Sequence, residues 1–395
     1  MKYLLVFASL VLAHSVFAQS KLPIIKATSK AVDVNDGGFL DKASWFLSPK
    51  ARPDIYTADR TKKTKWVTFY TDIDSIRVKV KPGTKFNFII LLNGKDSCYT
   101  QIASAIQPGK KAVVETTKND TIPFTLTGYN AICVQSVING SDTVKMHFDI
   151  GATNFSLIKD AVLKKTSLLS NQPDAIAGKT APDYKKMNKV QTLQMGTMLW
   201  NNPHVGVTDL TAREMDGRFG WNLFDGKTVE INYDNNLIII RPNMPKGLKG
   251  YTKETLDFVH SFVSAKGSFK VDGKEYEGEF LFDTGSGQAV IVDSGWAAKQ
   301  GFFNSLKVVK STIVRDPLGK EYETKTVLAP QVALGGVAQT NVPTMVFANK
   351  NPVGFEINYF GNDFFKRFNM IIDFKNDMVY IKPNKLIAEP YKINS

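Results

Sequence analysis

The stretch Gly278-Glu279-Phe280-Leu281-Phe282-Asp283-Thr284-Gly285-Ser286 decides the fold of this 395-residue chain. It reads as a strand that ends in an Asp, followed by a small residue and a Gly. This order exposes a carboxylate on a tight loop, where its oxygens accept hydrogen bonds from backbone N–H groups and hydroxyls. A single loop of this kind is also compatible with an ordinary turn on a surface hairpin. Its meaning therefore depends on the rest of the chain.

A second copy of this stretch lies upstream, in Val144-Lys145-Met146-His147-Phe148-Asp149-Ile150-Gly151-Ala152. Three further blocks follow both copies in the same order and at similar spacing: 193–196 with 332–335, 219–224 with 360–365, and 231–240 with 372–381. From Gly220 to Asn232 and from Gly361 to Asp373 the separation is 12 residues in both copies. Alternating apolar residues in the chain are typical of half-buried strands. The chain therefore contains two copies of one β-rich unit.

Two Asp loops in homologous positions predict a pseudo-two-fold site in which Asp149 and Asp283 face each other. Two close carboxylates cannot both ionise cheaply, so they share a proton, and one acts as an acid while the other acts as a base. A water between them would be deprotonated as it attacks a peptide carbonyl. The titration would belong to the pair.

These residues resemble pepsin-like and retropepsin-like aspartic proteases, in particular the secreted bacterial type with two tandem retropepsin-like units. The resemblance rests on residues 282–287, on the apolar run 289–292 and on Tyr359-Phe360-Gly361, and it covers approximately residues 119–388. It implies an all-β fold with two β-barrel lobes around a cleft and an N-terminal β-rich extension. It also implies catalytic Asp149 and Asp283, a peptide or protein substrate, and no metal or organic cofactor.

The resemblance assigns supporting roles to further residues. Those that support the two catalytic loops are Thr284, Gly285, Ser286, Gly151 and Ala152. Two glycines, Gly220 and Gly361, pack behind the loops, and Asp316-Pro317-Leu318-Gly319 is the candidate tip of a flap over the cleft.

Ile150 departs from the family pattern, in which Thr or Ser follows the Asp and its hydroxyl forms a hydrogen bond across the lobe interface. Two functions therefore stay open. One is a secreted aspartic endopeptidase, and the other is a catalytically inactive bilobal module that binds peptides or associates with the envelope.

The first 18 residues resemble a secretory signal, with Lys2 ahead of an apolar run from Leu4 to Ala18. We therefore expect a secreted or periplasmic protein without an integral membrane segment. We divide the remaining chain into an N-terminal β-rich region (19–118), a first lobe (119–246), a linker (247–254) and a second lobe (255–388). The N-terminal region is either a β-domain or a prosegment that places a cation over the carboxylates.

The formal net charge of +13 permits weak electrostatic association with an anionic envelope. The lysines are scattered and form no dense basic run with interleaved aromatic residues, which argues against nucleic-acid binding. Cys98 and Cys133 form either one disulfide or two buried thiols, and their spacing does not fit zinc. His204 and His260 have no partners at metal-ligand spacing, and His147 is expected on the solvated surface. We expect a monomer.

Local patterns predict three elements. Residues 75–92, with Pro82-Gly83 in the middle, predict a β-hairpin. Residues 158–165 and 295–300 predict short helices, each just downstream of an Asp loop.

Overall fold

The computed structural model describes residues 22–37, 39–105, 119–212, 214–315, 321–347 and 355–391. The chain separates into two compact units, Met1–Lys110 and Lys111–Ser395. The predicted signal sequence and the predicted flap tip at Asp316 to Gly319 lie outside the described residues.

Within the described residues, the first unit has eight β-strands. Its strands are β1 (Ile24–Ala27), β2 (Ala31–Asp36), β3 (Phe39–Phe46), β4 (Asp54–Ala58), β5 (Lys65–Tyr70), β6 (Ser75–Val80), β7 (Lys85–Leu92) and β8 (Asp96–Ser104). They form two four-stranded sheets, with the orders β1-β7-β8-β4 and β3-β2-β5-β6.

Side chains from both sheets of the first unit form one hydrophobic core. Val34 and Phe69 come from one sheet and Phe88 and Ile90 from the other, and the rings of Phe69 and Phe88 lie 5.6 Å apart, edge to face. The predicted hairpin over residues 75–92 is wrong, because β6 pairs with β5 while β7 pairs with β1 and β8. The turn at Gly83 carries the chain from one sheet to the other. Burial of the apolar faces of both strands in one core outweighs local pairing across the turn.

The second unit contains the repeat. Its first half has β9 (Asp120–Pro123), β10 (Thr125–Leu126), β11 (Ile132–Ile138), β12 (Asp142–Phe148), β13 (Phe155–Ile158), β14 (Thr192–Met195), β15 (Met198–Asn201), β16 (Val205–Thr208), β17 (Gly217–Phe219), β18 (Thr228–Asn232) and β19 (Leu237–Arg241). Its second half has β20 (Thr252–Thr255), β21 (Asp257–Val259), β22 (Phe262–Val271), β23 (Lys274–Asp283), β24 (Val290–Val292), β25 (Val308–Arg315), β26 (Glu321–Leu334), β27 (Val337–Val346), β28 (Asn358–Gly361), β29 (Phe368–Asp373) and β30 (Met378–Pro383).

Helices in the second unit are short. They are α1 (Lys159–Lys165), α2 (Pro173–Ile176), α3 (Ser294–Gln300) and α4 (Asn362–Phe365), with 3-10 turns at Ser167–Leu169, Tyr184–Lys186, Trp221–Phe224 and Phe302–Ser305. The positions of α1 and α3 confirm the two predicted helices. Asp293 begins α3, because its carboxylate accepts hydrogen bonds from Gly295 N and Trp296 N. None of the helices in the described ranges is long and apolar enough to cross a membrane.

The strands confirm the predicted all-β, bilobal architecture. Each half forms its own sheet, with the order β15-β14-β11-β12-β17-β13-β16 in the first lobe and β21-β22-β23-β28-β24-β27-β26-β25 in the second. A third sheet joins the lobes, with the order β20-β30-β29-β18-β19-β9. Its inner strands β18 and β29 pair antiparallel, with Val229 opposite Ile372. The first half contributes the three strands on one side of this pairing, and the second half contributes the three on the other side. The antiparallel pairing of β18 with β29 thus joins the two lobes through the shared sheet.

Both cysteines are buried free thiols, Cys98 in the first unit and Cys133 in the second. Of the two alternatives, one disulfide or two buried thiols, the structure therefore has the two thiols.

Candidate active site

The two Asp loops leave the ends of equivalent strands. Asp149 follows β12 and Asp283 ends β23, and the residues before them, Phe148 and Phe282, are fully buried in the core. Because successive side chains on a strand point to opposite faces, burial of each Phe turns the following Asp out of its lobe core. Ala152 N donates to Asp149 O at 3.0 Å, and a matching turn closes the other loop.

The two carboxylates approach each other across the lobe interface. Asp149 Oδ1 accepts hydrogen bonds from Gly151 N at 2.8 Å and from Gly285 N of the other lobe at 3.2 Å. Asp283 Oδ1 accepts from Ser286 N at 3.1 Å. A Cβ placed on Gly151 would lie 3.1 Å from Asp149 Oδ1 and 3.4 Å from Asp283 Oδ1. These distances add to about 6.5 Å, which is the upper limit on the separation of the two oxygens.

Both loop glycines are required by this close approach. A Cβ on Gly285 would lie 2.7 Å from Asp149 Oδ2, and Gly151 faces both carboxylates. Any larger residue at Gly285 would push the carboxylates apart. The structure therefore brings Asp149, Asp283, Gly151 and Gly285 together in one place.

Thr284 ties the two loops together from the second lobe. Its hydroxyl, which is fully buried, accepts a hydrogen bond from Ile150 N at 2.8 Å and donates one to Phe148 O at 3.2 Å. The hydroxyl thus holds the backbone on both sides of Asp149.

Ile150 occupies the equivalent position in the first lobe and cannot make the reciprocal bonds. Its side chain is fully buried and packs in the main hydrophobic core. The hydroxyl bonds between the two loops therefore come from Thr284 alone.

Ile150→Thr tests whether the missing hydroxyl limits the site. We expect hydrolysis of peptides to rise roughly fivefold, since one restored hydrogen bond contributes about 1 kcal/mol. Ile150→Val is the matched control, because Val has the shape of Thr without its hydroxyl. Initial rates on one fluorogenic peptide measure both variants. Equal rates for the Thr and Val variants would show that the reciprocal bond is irrelevant.

His147 contradicts the expectation of a solvated surface histidine. It is 2% exposed, and its Nε2 lies 3.3 Å from Thr284 O in the other lobe. A carbonyl oxygen only accepts, so Nε2 carries the proton of this bond. Burial is the main cause that lowers the pKa of His147, against an opposing effect of Asp149. The neutral ring adds an interlobe contact on the side where Ile150 supplies none.

Asp283 holds its proton more tightly than an ordinary Asp. Burial, and next the negative charge of Asp149, raise the pKa of Asp283 to about 7, while the N–H groups of Ser286 and Gly285 and the cation of Arg218 act in the opposite direction. At mildly acidic pH Asp283 therefore keeps its proton.

Gly220 and Gly361 lie against the backbone that follows the two Asp loops. A Cβ on Gly220 would lie 1.8 Å from Ala152 O, and one on Gly361 would lie 2.1 Å from Gln288 O. Gly361 N also donates to Ala289 O at 2.9 Å, which fixes the chain beyond Ser286.

A hairpin of the second lobe lies beside the loop of Asp283. Its strands β25 and β26 pair antiparallel up to Arg315 opposite Glu321. Thr312 and Thr324 of this hairpin line a cavity of about 290 Å³ together with Gly287. The tip with Gly319 lies outside the described residues, so its role as a flap stays a prediction. The first lobe has α1, α2 and 3-10 turns between β13 and β14 in place of such a hairpin.

A polar network at the lobe interface was not predicted from the sequence. Tyr233 OH donates to Asn362 Oδ1 at 2.6 Å, and Asn362 Nδ2 donates to Asn130 O at 2.5 Å. Asn130 Nδ2 in turn donates to Gly287 O at 3.2 Å. The network links the first lobe to the loop after Asp283. Its residues are distant in sequence and share no motif, so only the fold brings them together.

Metal ligands are not clustered in the part of the chain that the structure describes, where no group of three or more His, Cys, Asp or Glu side chains could hold an ion.

Comparison with known proteins gives a likeness of fold. The crystal structure of aspartic proteinase from Irpex lacteus is similar to this chain with a TM-score of 0.47 and 13% sequence identity, over 69% of this chain and 99% of that chain. No family model matches the sequence, and no curated protein does so either. A likeness of this extent carries no conclusion about activity, which depends on the side chains described above.

Proposed function

We propose that this chain is a secreted aspartic endopeptidase of the pepsin-like and retropepsin-like kind, which acts as a monomer outside the cytoplasm. The observation that supports this function most strongly is the pair Asp149 and Asp283, held within about 6.5 Å of each other by loops of two pseudo-symmetric lobes. The raised pKa of Asp283 supplies the second element, a carboxyl group that keeps its proton at mildly acidic pH.

The proposed reaction needs only these two side chains and one water. Asp149 takes a proton from the water as its oxygen attacks the peptide carbonyl, and Asp283 gives its proton to the carbonyl oxygen. The tetrahedral intermediate then breaks its C–N bond. The leaving amine takes the proton from Asp149, and a hydroxyl of the intermediate returns one to Asp283. Both carboxyl groups end as they began.

Activity should fall at alkaline pH. Since burial and Asp149 raise the pKa of Asp283 to about 7, the proton of the pair is lost above that pH. We expect kcat/KM for peptide hydrolysis to decrease roughly tenfold per pH unit above about pH 7. Stopped assays on an unstructured protein substrate between pH 4 and pH 9 measure this. A rate that still rises at pH 9 would contradict a protonated Asp283.

A second candidate function is an inactive bilobal module that binds peptides at the envelope, and Ile150 is the observation that favours it. The charge of +13 would support attachment to anionic surfaces. This alternative would be established if the wild-type protein binds peptides without cleaving them and the Ile150→Thr variant cleaves them.

A further inference from the structure

The side chains that flank the two Asp residues differ sharply between the lobes. In the first lobe, His147 lies two residues before Asp149 and therefore points to the same face of its strand. The strand register places Arg218 beside His147 and Ser156 beside Arg218. His147, Ser156 and Arg218 thus form a polar cluster on the face that carries Asp149.

The second lobe has an apolar cluster at the equivalent positions. Leu281 lies two residues before Asp283, Tyr359 lies beside Leu281, and Ile291 lies beside Tyr359. These three side chains are buried with Ile357, and partly buried hydrophobic residues pack on them: Val259, Phe262, Met345, Phe347 and Phe355. The repeat therefore holds Leu281, Ile291 and Tyr359 where the first lobe has His147, Ser156 and Arg218.

Two polar atoms of the polar cluster are enclosed without a partner. Arg218 Nε and Ser156 Oγ form no hydrogen bond within the ranges that the structure describes. No described carboxylate forms an ion pair with Arg218, although its charge acts on Asp283 and His147. The nearby Asp216 is occupied, because its two oxygens accept hydrogen bonds from Lys145 N and Lys165 Nζ. An enclosed guanidinium nitrogen without an acceptor is costly unless a ligand supplies one.

The first lobe also has smaller residues at this place than the second lobe. Gly206 lies beside Ser156, where the second lobe has Met345 beside Ile291. A Cβ on Gly206 would have no atom closer than 3.7 Å. The first lobe therefore has the small residues Ser156 and Gly206 next to Arg218, where the second lobe has the large apolar side chains of Ile291 and Met345.

We propose that this chain selects peptides with an acidic side chain on one side of the Asp pair, bound by Arg218 beside His147 and Ser156, and a large apolar side chain on the other. The inference rests on the proposed function of the site. A guanidinium matches a carboxylate in geometry as well as in charge. The apolar cluster of the second lobe offers only hydrophobic contact, which favours aromatic and branched aliphatic residues. The two halves of the site are thus specialised for different residues.

Pairs of peptides test this preference at pH 6. The two peptides of a pair differ only in carrying Glu or its neutral isostere Gln. This residue is placed in turn at each of the four positions that flank a cleavable bond. Mass spectrometry locates the cleaved bond. We expect Glu to raise kcat/KM roughly tenfold over Gln at positions on one side of the bond, and Arg218→Gln to remove that preference. Arg218→Lys should keep part of it. Lys274→Gln, at the exposed start of β23, removes one remote positive charge and should leave the preference intact.

Binding of the same peptides to the Asp283→Asn variant, measured by fluorescence anisotropy, separates this inference from the proposed function. If peptides bind through Arg218 with a preference for Glu but wild-type protein never cleaves them, the proposed peptidase function is wrong and the inference about Arg218 still holds. Equal kcat/KM for the Glu and Gln peptides, or a preference for Glu that survives Arg218→Gln, would overturn the inference while cleavage itself persists.

Discussion

Asp283→Asn should reduce peptide hydrolysis by roughly 10³-fold or more, since the variant keeps the shape of the side chain but has no acidic proton to transfer. Asp149 alone can accept a proton from water and cannot protonate the carbonyl oxygen. Rates on one fluorogenic peptide at pH 5 measure the effect. Asp160→Asn, an exposed position on α1, is the matched control and should leave the rate unchanged. Hydrolysis that persists in the Asp283→Asn variant would refute the assignment of the site.

The same substitution should also stabilise the fold at alkaline pH. The pKa of Asp283 is about 7 in the folded protein against an ordinary 3.8, so between these values the folded state binds more protons than the unfolded state. The free energy of unfolding therefore falls as the pH rises through this window. Since one pKa unit corresponds to about 1.4 kcal/mol, we expect the variant to gain at least about 1 kcal/mol at pH 8 and little at pH 4. Thermal unfolding at both pH values measures this.

Gly361→Ala should give a large loss of stability. Its Cβ would lie 2.1 Å from Gln288 O and 3.0 Å from the carbonyl carbon of Gln288, so the chain behind the Asp283 loop must move. We expect a loss of about 3 kcal/mol or more, by steric overlap with backbone that cannot rotate away.

Gly247→Ala is the control for that substitution, because nothing lies within 4 Å of a Cβ at this exposed glycine. It should unfold at the denaturant concentration of the wild type. Gly220→Ala meets Ala152 O in the first lobe and should behave like Gly361→Ala. If urea unfolding of the Gly361→Ala variant matched that of the Gly247→Ala variant, the threading of β28 behind the loop would be wrong.

The parts of the site that the sequence predicted are those coded locally. Asp149 and Asp283 follow strands whose alternation is visible in the chain, and Gly220 and Gly361 recur at a fixed distance from later blocks of the repeat. The same holds for α3, which begins at a capping Asp. Each of these features needs only a few neighbouring residues.

Features that depend on strand register were missed. Arg218 lies beside His147 only because β17 pairs parallel with β12. In the sequence, the one sign that Arg218 lies near the site was its position directly before Phe219 and Gly220. Comparison with Tyr359 in the second copy would have marked it as a polar residue at an apolar position. The prediction that His147 is exposed was wrong for the same reason, since its ring contacts Thr284 O, which is 137 residues away in the sequence.

Because β18 and β29 are the two inner strands of the shared six-stranded sheet, neither lobe completes this sheet alone. A lobe separated from its neighbour would present a bare strand edge, with unpaired N–H and C=O groups and the apolar side chains of Val229 and Ile231 exposed. Such an edge is its own complement under two-fold rotation. Two identical halves would therefore pair with each other through this edge. Covalent linkage of two unequal copies is what allows one side of the site to be basic while the other is apolar.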